Sequence, residues 1–209
     1  MNASVGVKED KVYAPKVLLN VNGIPNELKA CPQWVVWKGI PSNSRPGKID
    51  KIPYQINGYK ASTTKPDTWT TFEKAVDAVQ TGVYHGVGFV FTKETPFSGV
   101  DIDSCIHDGK IDQHAKELLA DLASYTEISP SGSGFHIIVM GKKPGTRSRK
   151  AGSSVEIYSS ARFFTITGCR FEGTPDTIEE RQDILNKIYK EMFEPDKPVI
   201  HVSPQIDVS

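Results

Sequence analysis

Cysteine is scarce in this 209-residue chain: there are 3, at Cys31, Cys105 and Cys169. Odd in number and far apart, they suit neither a disulfide framework nor a zinc knuckle. Long apolar runs are missing too, since none approaches the ~18 residues of a membrane span. The opening stretch, MNASVGVKEDKVYAPK, has no apolar core of the kind a signal peptide needs. Excess charge of one sign is also absent. Lys+Arg and Asp+Glu each number 25, which excludes a polybasic coat or an acidic tail protein but leaves room for a local basic groove. These absences lead us to expect a soluble, cytoplasmic protein with no membrane contact.

What is present is ordinary globular material, with 38% apolar and 24% charged residues, enough for one domain with a real core. Residues 1–25 are polar and aperiodic, with breakers at Pro15 and Pro25, and read as a flexible arm ordered at its end. From Leu28 the texture changes. Trp34-Val35-Val36-Trp37 reads as a buried strand, and the Pro-, Ser- and Gly-rich stretch from Gly39 to Asp50 as a loop. Thr70 with Glu73 predicts a capping box, followed by a helix burying Phe72, Ala75, Val76 and Val79 and stopping at Gly82. Strands are expected at Gly86–Phe91, Ser98–Asp103, Phe135–Met140, Ser154–Tyr158 and Phe163–Thr167, with a helix from Asp112 to Ala123. A last helix, over 174–194, carries its own box at Thr177 and Glu180; residues 195–209 read as a tail or linker. The irregular alternation of strands and helices favours an α+β, mixed α/β sheet over a doubly wound parallel one.

Four short stretches can carry chemistry. Asp101 and Asp103 stand two apart on a predicted strand and so share a face, a natural site for a divalent cation with oxygen ligands. The bland alternative is a solvated strand end. Ser129-Pro130-Ser131-Gly132-Ser133-Gly134 is a turn entering the strand of His136; its backbone N–H groups can approach phosphate, though taken alone a tight hairpin with a half-buried histidine explains it better. Glu156 and Tyr158 share a face of a third strand. Arg162 opens the apolar strand that follows, fit either to clamp a triphosphate or to form a rim salt bridge.

Charge is unevenly placed. Between residues 141 and 170, Lys142, Lys143, Arg147, Arg149, Lys150, Arg162 and Arg170 face a single acid, Glu156. A neutral chain with positive charge gathered beside a candidate metal site suits a polyanionic substrate.

Taken together, Gly-Val-Asp-Ile-Asp (99–103), Ser-Gly-Phe-His (133–136) and Val-Glu-Ile-Tyr (155–158) stand in the motif order of the archaeo-eukaryotic primase superfamily. The closer resemblance is to primase-polymerase domains of phage and plasmid replication proteins. It extends through Trp34–Lys38, Thr68–Ala75, Gly88–Phe91 and Arg162–Gly168, from about Leu28 to Gly168. The resemblance implies an RNA-recognition-motif-like catalytic sheet joined to a smaller N-terminal α/β module, with the active site in the cleft between them. On that pattern residues 26–194 are the catalytic domain: 26–85 mainly the N-terminal module, 86–170 the core and 174–194 the last helix.

The resemblance also implies roles. Asp101, Asp103 and Glu156 match the family's ligands for two Mg²⁺ or Mn²⁺ ions. His136 matches its phosphate-contacting histidine. Ser131 and Ser133 lie near its serine, although the position two before His136 is Gly134. Arg162 is carried over as a nucleotide contact, Arg149 and Lys150 enter on charge alone, and Asp108 follows the Asp pair on the same segment. Tyr158 and Phe163 are candidates for sensing the sugar, with packing as the alternative. No zinc is expected. The implied activity is template-directed nucleotidyl transfer to a 3′-hydroxyl, on single-stranded or primed DNA, with nucleoside triphosphates. Related proteins often fuse this domain to a helicase, but no P-loop motif stands in this chain, so a helicase partner would lie elsewhere in cis or in trans. Two rival readings use the same residues: a metal-dependent nuclease, and a non-catalytic nucleic-acid-binding replication module.

Overall fold

The computed structural model describes residues 18–193. Its elements in chain order are α1 (Asn26–Lys29), β1 (Trp34–Pro41), β2 (Ile49–Tyr54), α2 (Phe72–Gln80), β3 (Gly86–Phe91) and β4 (Phe97–Ile102). After these come β5 (Ile106–His107), β6 (Lys110–Ile111), α3 (Gln113–Leu122), β7 (Thr126–Ile128), β8 (Phe135–Met140), β9 (Val155–Tyr158), β10 (Arg162–Ile166) and α4 (Gln182–Phe193). The fold is α+β. Two four-stranded antiparallel sheets carry it, ordered β10-β3-β1-β2 and β7-β8-β4-β9.

The second sheet has the strand order expected of an RNA-recognition-like unit. Counting only its own members along the chain, β4, β7, β8 and β9 are arranged 2-3-1-4, with α3 crossing between the first and second. No helix crosses between its third and fourth strands; a loop over 141–154 does so instead. The space such a helix would fill is taken by α4, whose Leu185 and Ile188 join Leu118 and Leu122 of α3 over Val100, Ile137 and Ile157.

Strand alternation decides what the opposite face of this sheet does. Val100 stands between Ile137 and Ile157 and turns to the helices. The next residue, Asp101, therefore turns the other way, as do Phe97 and Gly99. Phe97 and Ile138 pack on Phe89, Phe91 and Phe164 of the first sheet. Gly99 permits this approach, since a Cβ there would lie 2.4 Å from Phe164 and 2.7 Å from Phe91. One end of the intersheet layer is thus apolar and closed, and the other, carrying Asp101, opens as a cleft. Beside that contact the same face of the first sheet is covered by α1 and α2: Trp34, the direct partner of Phe89, has its ring 4.9 Å from Phe72, and its Nε1 donates to Leu28 O at 3.1 Å.

Several expectations need correction. β1 continues to Pro41, into the stretch read as loop, and β2, which begins at the end of that stretch with Ile49 and Asp50, is a strand not expected; as a sheet edge beside β1, all six of its residues are half-buried and it shows no alternation. Thr71, not Thr70, occupies the N-cap position of α2, because Thr70 is held in a backbone bridge with Trp34. The last helix begins at Gln182, not at 174. Residues 177–181 run along the sheet edge, with Tyr125 N donating to Thr177 O, Met140 N to Glu179 O and Arg181 N to Met140 O. β3 and β10 share a sheet with β1 and β2. Residues 1–17 of the arm and the tail at 195–209 lie outside the described residues. The end of the arm is built in: Asn20 N donates to Thr167 O at 2.7 Å, and Ile24 is buried. Among the described residues no helix is long and apolar enough to cross a membrane.

Candidate active site

The register of the second sheet draws the separated motifs into one row. Asp101 on β4 faces His136 on β8 and Glu156 on β9, and His136 in turn faces Glu127 on β7. Directly opposed residues project from the same face, so Glu127, His136, Asp101 and Glu156 form a band across all four strands. All four are buried. Asp103 lies one residue beyond β4, exposed at the mouth of the cleft, with its N–H donating to Ser154 O at 2.8 Å.

The middle of this band, Asp101 with His136, lines a 1080 Å³ cleft between the two sheets; Glu127 and Glu156, at its two ends, are not part of the lining. Of the residues singled out in the sequence, Asp101, Asp103, Ser131, Ser133, His136, Arg149, Arg162 and Phe163 line it, and Glu156 stands beside it, reached through Arg149 and Arg162. Lys150 and Asp108 do not. Lys150 is exposed on the tight turn before Ser153, and Asp108 sits at the exposed tip of the β5–β6 hairpin. Tyr158 is engaged behind the cleft, its hydroxyl donating to Glu156 Oε2 at 2.5 Å.

The electrostatics of the two central carboxylates differ. Glu156 is neutralised: Arg149 Nε lies 3.2 Å from Oε1, and Arg162, whose guanidinium covers the Tyr158 ring, lies 3.9 Å from Oε2. Asp101 has no such relief. Its Oδ1 is buried without a hydrogen-bond partner. Burial first, then the like charges of Asp103 and Glu156, push its carboxyl up to about 7. His136 Nε2 is 3.8 Å away, but this is no ion pair at neutral pH, because burial holds the imidazole down at about 3. His136 Nδ1 lies 3.2 Å from Thr165 O. A carbonyl only accepts, so Nδ1 carries the proton and the bare Nε2 faces Asp101. The ring stacks on Phe164, centroids 4.6 Å apart.

The basic run of 141–170 divides on folding. Lys142 donates to the carbonyls of Thr92 and Thr95, Lys143 to those of Gly145 and Arg147, and Arg147 to Phe193 O. Arg170 donates to the carbonyls of Phe171 and Thr174. These four cations cap the chain's own backbone, and only Arg149 and Arg162 of the run reach the cleft. Its other positive wall comes from residues sequence reading passed over: Arg45, Lys48 and Lys51 on and before β2. Lys51 is half-buried and its ammonium is pushed down by burial, with Asp101 and Asp103 near enough to oppose that shift. The available signal was composition: residues 38–65 hold Lys38, Arg45, Lys48, Lys51, Lys60 and Lys65 against the single acid Asp50.

Among the described residues, no three carboxylate, imidazole or thiol side chains converge as a ready-made metal cage. The donor chemistry nevertheless fits a divalent cation. Asp101 offers a buried, unpartnered oxygen whose charge is destabilised by its acidic neighbours, and Asp103 adds a second hard oxygen donor at the cleft mouth.

No family model matches the chain. It is similar to a DNA primase-polymerase of Nitratiruptor phage NrS-1, 38% identical over 174 residues, which is 80% of this chain and 23% of the relative. The chain therefore spans about a quarter of the length of the curated relative it matches. The motif order, a band of Asp, His and Glu on a 2-3-1-4 sheet, and this similarity over four-fifths of the chain agree: it belongs with the phage-type primase-polymerase domains.

Proposed function

We propose that this domain performs template-directed nucleotidyl transfer, adding nucleotides to a 3′-hydroxyl on a DNA template. The observation that carries the reading is the union of Asp101, His136 and Glu156 in one row, of which Asp101 and His136 line a cleft whose walls hold Lys51, Arg149 and Arg162. Acids on the floor with bases on the walls match a triphosphate: the bases bind its oxygens, and the acids hold the cations it brings.

Asp101 and Asp103 would hold the divalent cation, Mg²⁺ or Mn²⁺, with Glu156 as the further ligand once its arginines turn to phosphate. Bound there, two such ions supply charge neutralisation at the attacking hydroxyl and at the departing pyrophosphate. The protein's own groups do the rest. Arg149 and Arg162 are tethered to Glu156 at one end of the row, where a polyphosphate exchanges one anionic partner for another at little electrostatic cost. Lys51 approaches from the opposite wall and adds a point charge. His136, with Nδ1 committed to Thr165, presents only Nε2; a polyanion in the cleft favours a proton there, which then donates to a phosphate oxygen. Ser131 and Ser133 add hydroxyl donors at the rim.

Template grip is assigned to the β1–β2 side. Arg45, Lys48, Lys60 and Lys65 are exposed, and Tyr59 at the turn after β2 is 72% exposed, a pairing of cations with an aromatic that suits single-stranded nucleic acid. The non-catalytic reading is disfavoured by the sheet face itself, which carries acids and an imidazole where a base-stacking platform carries aromatics.

The test is incubation with a single-stranded template, labelled nucleotides and Mn²⁺ or Mg²⁺, with and without a primer, beside Asp101→Ala. Product from the wild type alone supports the proposal. Shortening of labelled DNA without nucleotides would overturn it in favour of a nuclease. Equal activity in Asp101→Ala would remove the acids from the mechanism.

A further inference from the structure

Glu127 is the one member of the band that the proposed mechanism does not use. It is 2% exposed, yet its carboxylate is fully engaged. Oε2 accepts from Thr167 N at 2.7 Å and Thr167 Oγ1 at 2.6 Å, Oε1 accepts from Gly168 N at 2.7 Å, and the Tyr125 hydroxyl donates to Oε1 as well.

The partners explain why a carboxylate is buried there. β10 is an edge strand, paired with β3 on one side only. Along such a strand, the C=O of one residue and the N–H two residues on face the same edge. On the free edge of β10 those groups are Thr165 O and Thr167 N. His136 meets the first and Glu127 the second. His136 and Glu127 are themselves direct partners across β8 and β7. One cross-strand pair of side chains thus stands in for a missing strand and stitches β10 of the first sheet to the second.

We infer that Glu127 is a positioning residue for His136: by anchoring Thr167 and Gly168 it holds Thr165 O in place, which keeps the imidazole in its Nδ1–H form with Nε2 turned to Asp101. A carbonyl at an untethered strand end drifts, and an imidazole without a fixed acceptor populates both tautomers. The charged carboxylate matters here because three N–H or O–H donors converge on it from Thr167 and Gly168. An amide in its place aims its NH₂ at a donor, and at least one bond is lost.

The inference deepens the proposed function, but its first readout does not depend on that function. Imidazole ¹⁵N NMR of the full chain, free of nucleotide and DNA, reports the tautomer directly. The wild type is expected to show a single Nδ1–H form for His136. Glu127→Gln is expected to show mixed tautomers, with faster amide exchange at Thr167 and Gly168. Thr167→Val, which removes the hydroxyl's bond to Glu127 Oε2 and the one it accepts from Cys169 N but keeps both backbone bonds to the carboxylate, serves if Glu127→Gln fails to fold and is expected to shift in the same direction by less. In template-directed synthesis, the expected loss in kcat/KM for Glu127→Gln is roughly 10-fold to 100-fold, the scale typical of residues that orient a functional histidine. An unchanged single tautomer in whichever variant folds, with faster exchange at Thr167 and Gly168, would leave Glu127 a purely structural clamp and overturn the inference. A tautomer shift in a protein that makes no product at all would uphold the positioning role while refuting the polymerase reading.

Discussion

Asp101 and Glu156 face each other across β4 and β9, yet only Glu156 is neutralised, by Arg149 at 3.2 Å. Asp101 keeps a buried oxygen without a partner and a carboxyl raised to about 7 by burial and by its acidic neighbours. The stress in the row is therefore concentrated on one residue, and it is of a kind a cation relieves.

The first prediction concerns that stress. Asp101→Asn removes a repelled charge while keeping the shape, so the metal-free protein should be as stable as the wild type or more so. Divalent cation should raise the melting temperature of the wild type and have much less effect on the variant. Thermal melts with EDTA and with Mn²⁺ check this; a variant that melts well below the wild type in EDTA would contradict it.

The Asp101–His136 pair predicts an unusual pH dependence in EDTA. His136 is depressed in the fold to about 3, so its contribution is present above the ordinary histidine value of 6.5 and is lost as pH falls toward 3. Asp101 is raised to about 7, so the folded form holds a proton the unfolded form has released above 3.8, and stability falls as pH rises through that window. Between 3.8 and 6.5 the two slopes oppose and nearly cancel. Asp101→Asn should expose the histidine slope, losing stability on acidification below 6.5. His136→Gln should expose the opposite slope. Urea melts at intervals from pH 4 to pH 7 read both slopes, and parallel profiles in all three proteins would refute the pairing.

Lys51 faces the acids from the other wall of the cleft. A hydrogen bond to a charged group contributes about 1.5–3 kcal/mol. Lys51→Met should therefore weaken nucleotide binding by roughly 10-fold to 100-fold and leave the fold intact. A fluorescent nucleotide titration measures this. Binding within twofold of the wild type would remove Lys51 from the site.

Gly99 predicts an effect that starts from packing. Its missing side chain is what lets Phe164 and Phe91 approach, and a Cβ at 2.4 Å from a ring atom of Phe164 forces the sheets apart. Gly99→Ala should destabilise by about 1–3 kcal/mol, the cost of overpacking a filled core, as read by denaturant unfolding. Because Asp101 lies two residues on, metal binding should weaken with it.

Much of this was legible in the chain. The β3, β4, β8 and β10 strands and the apolar face of α2 follow from alternation and 3.6-residue spacing, which act over a few residues. β2 was not legible, because an edge strand half-buried along its length carries no alternation. Thr177 and Glu180 resemble a cap, yet backbone bonds to Tyr125 and Met140 hold that segment extended, a tertiary override of a local signal.

The sequence by itself determined the chemical inventory: which acids, which histidine and which strands carry them, because side-chain type and strand period are properties of neighbours along the chain. Only the tertiary structure decided how the inventory is used. It aligned Asp101, His136 and Glu156 through sheet register, assigned Lys142, Lys143, Arg147 and Arg170 to carbonyl capping rather than the cleft, and brought in Lys51 from a distant edge strand. It also buried Glu127 against the free edge of β10. Register and burial are set by contacts between residues far apart in the chain, and no local pattern encodes which of two equal charges will find a backbone carbonyl and which an open cleft.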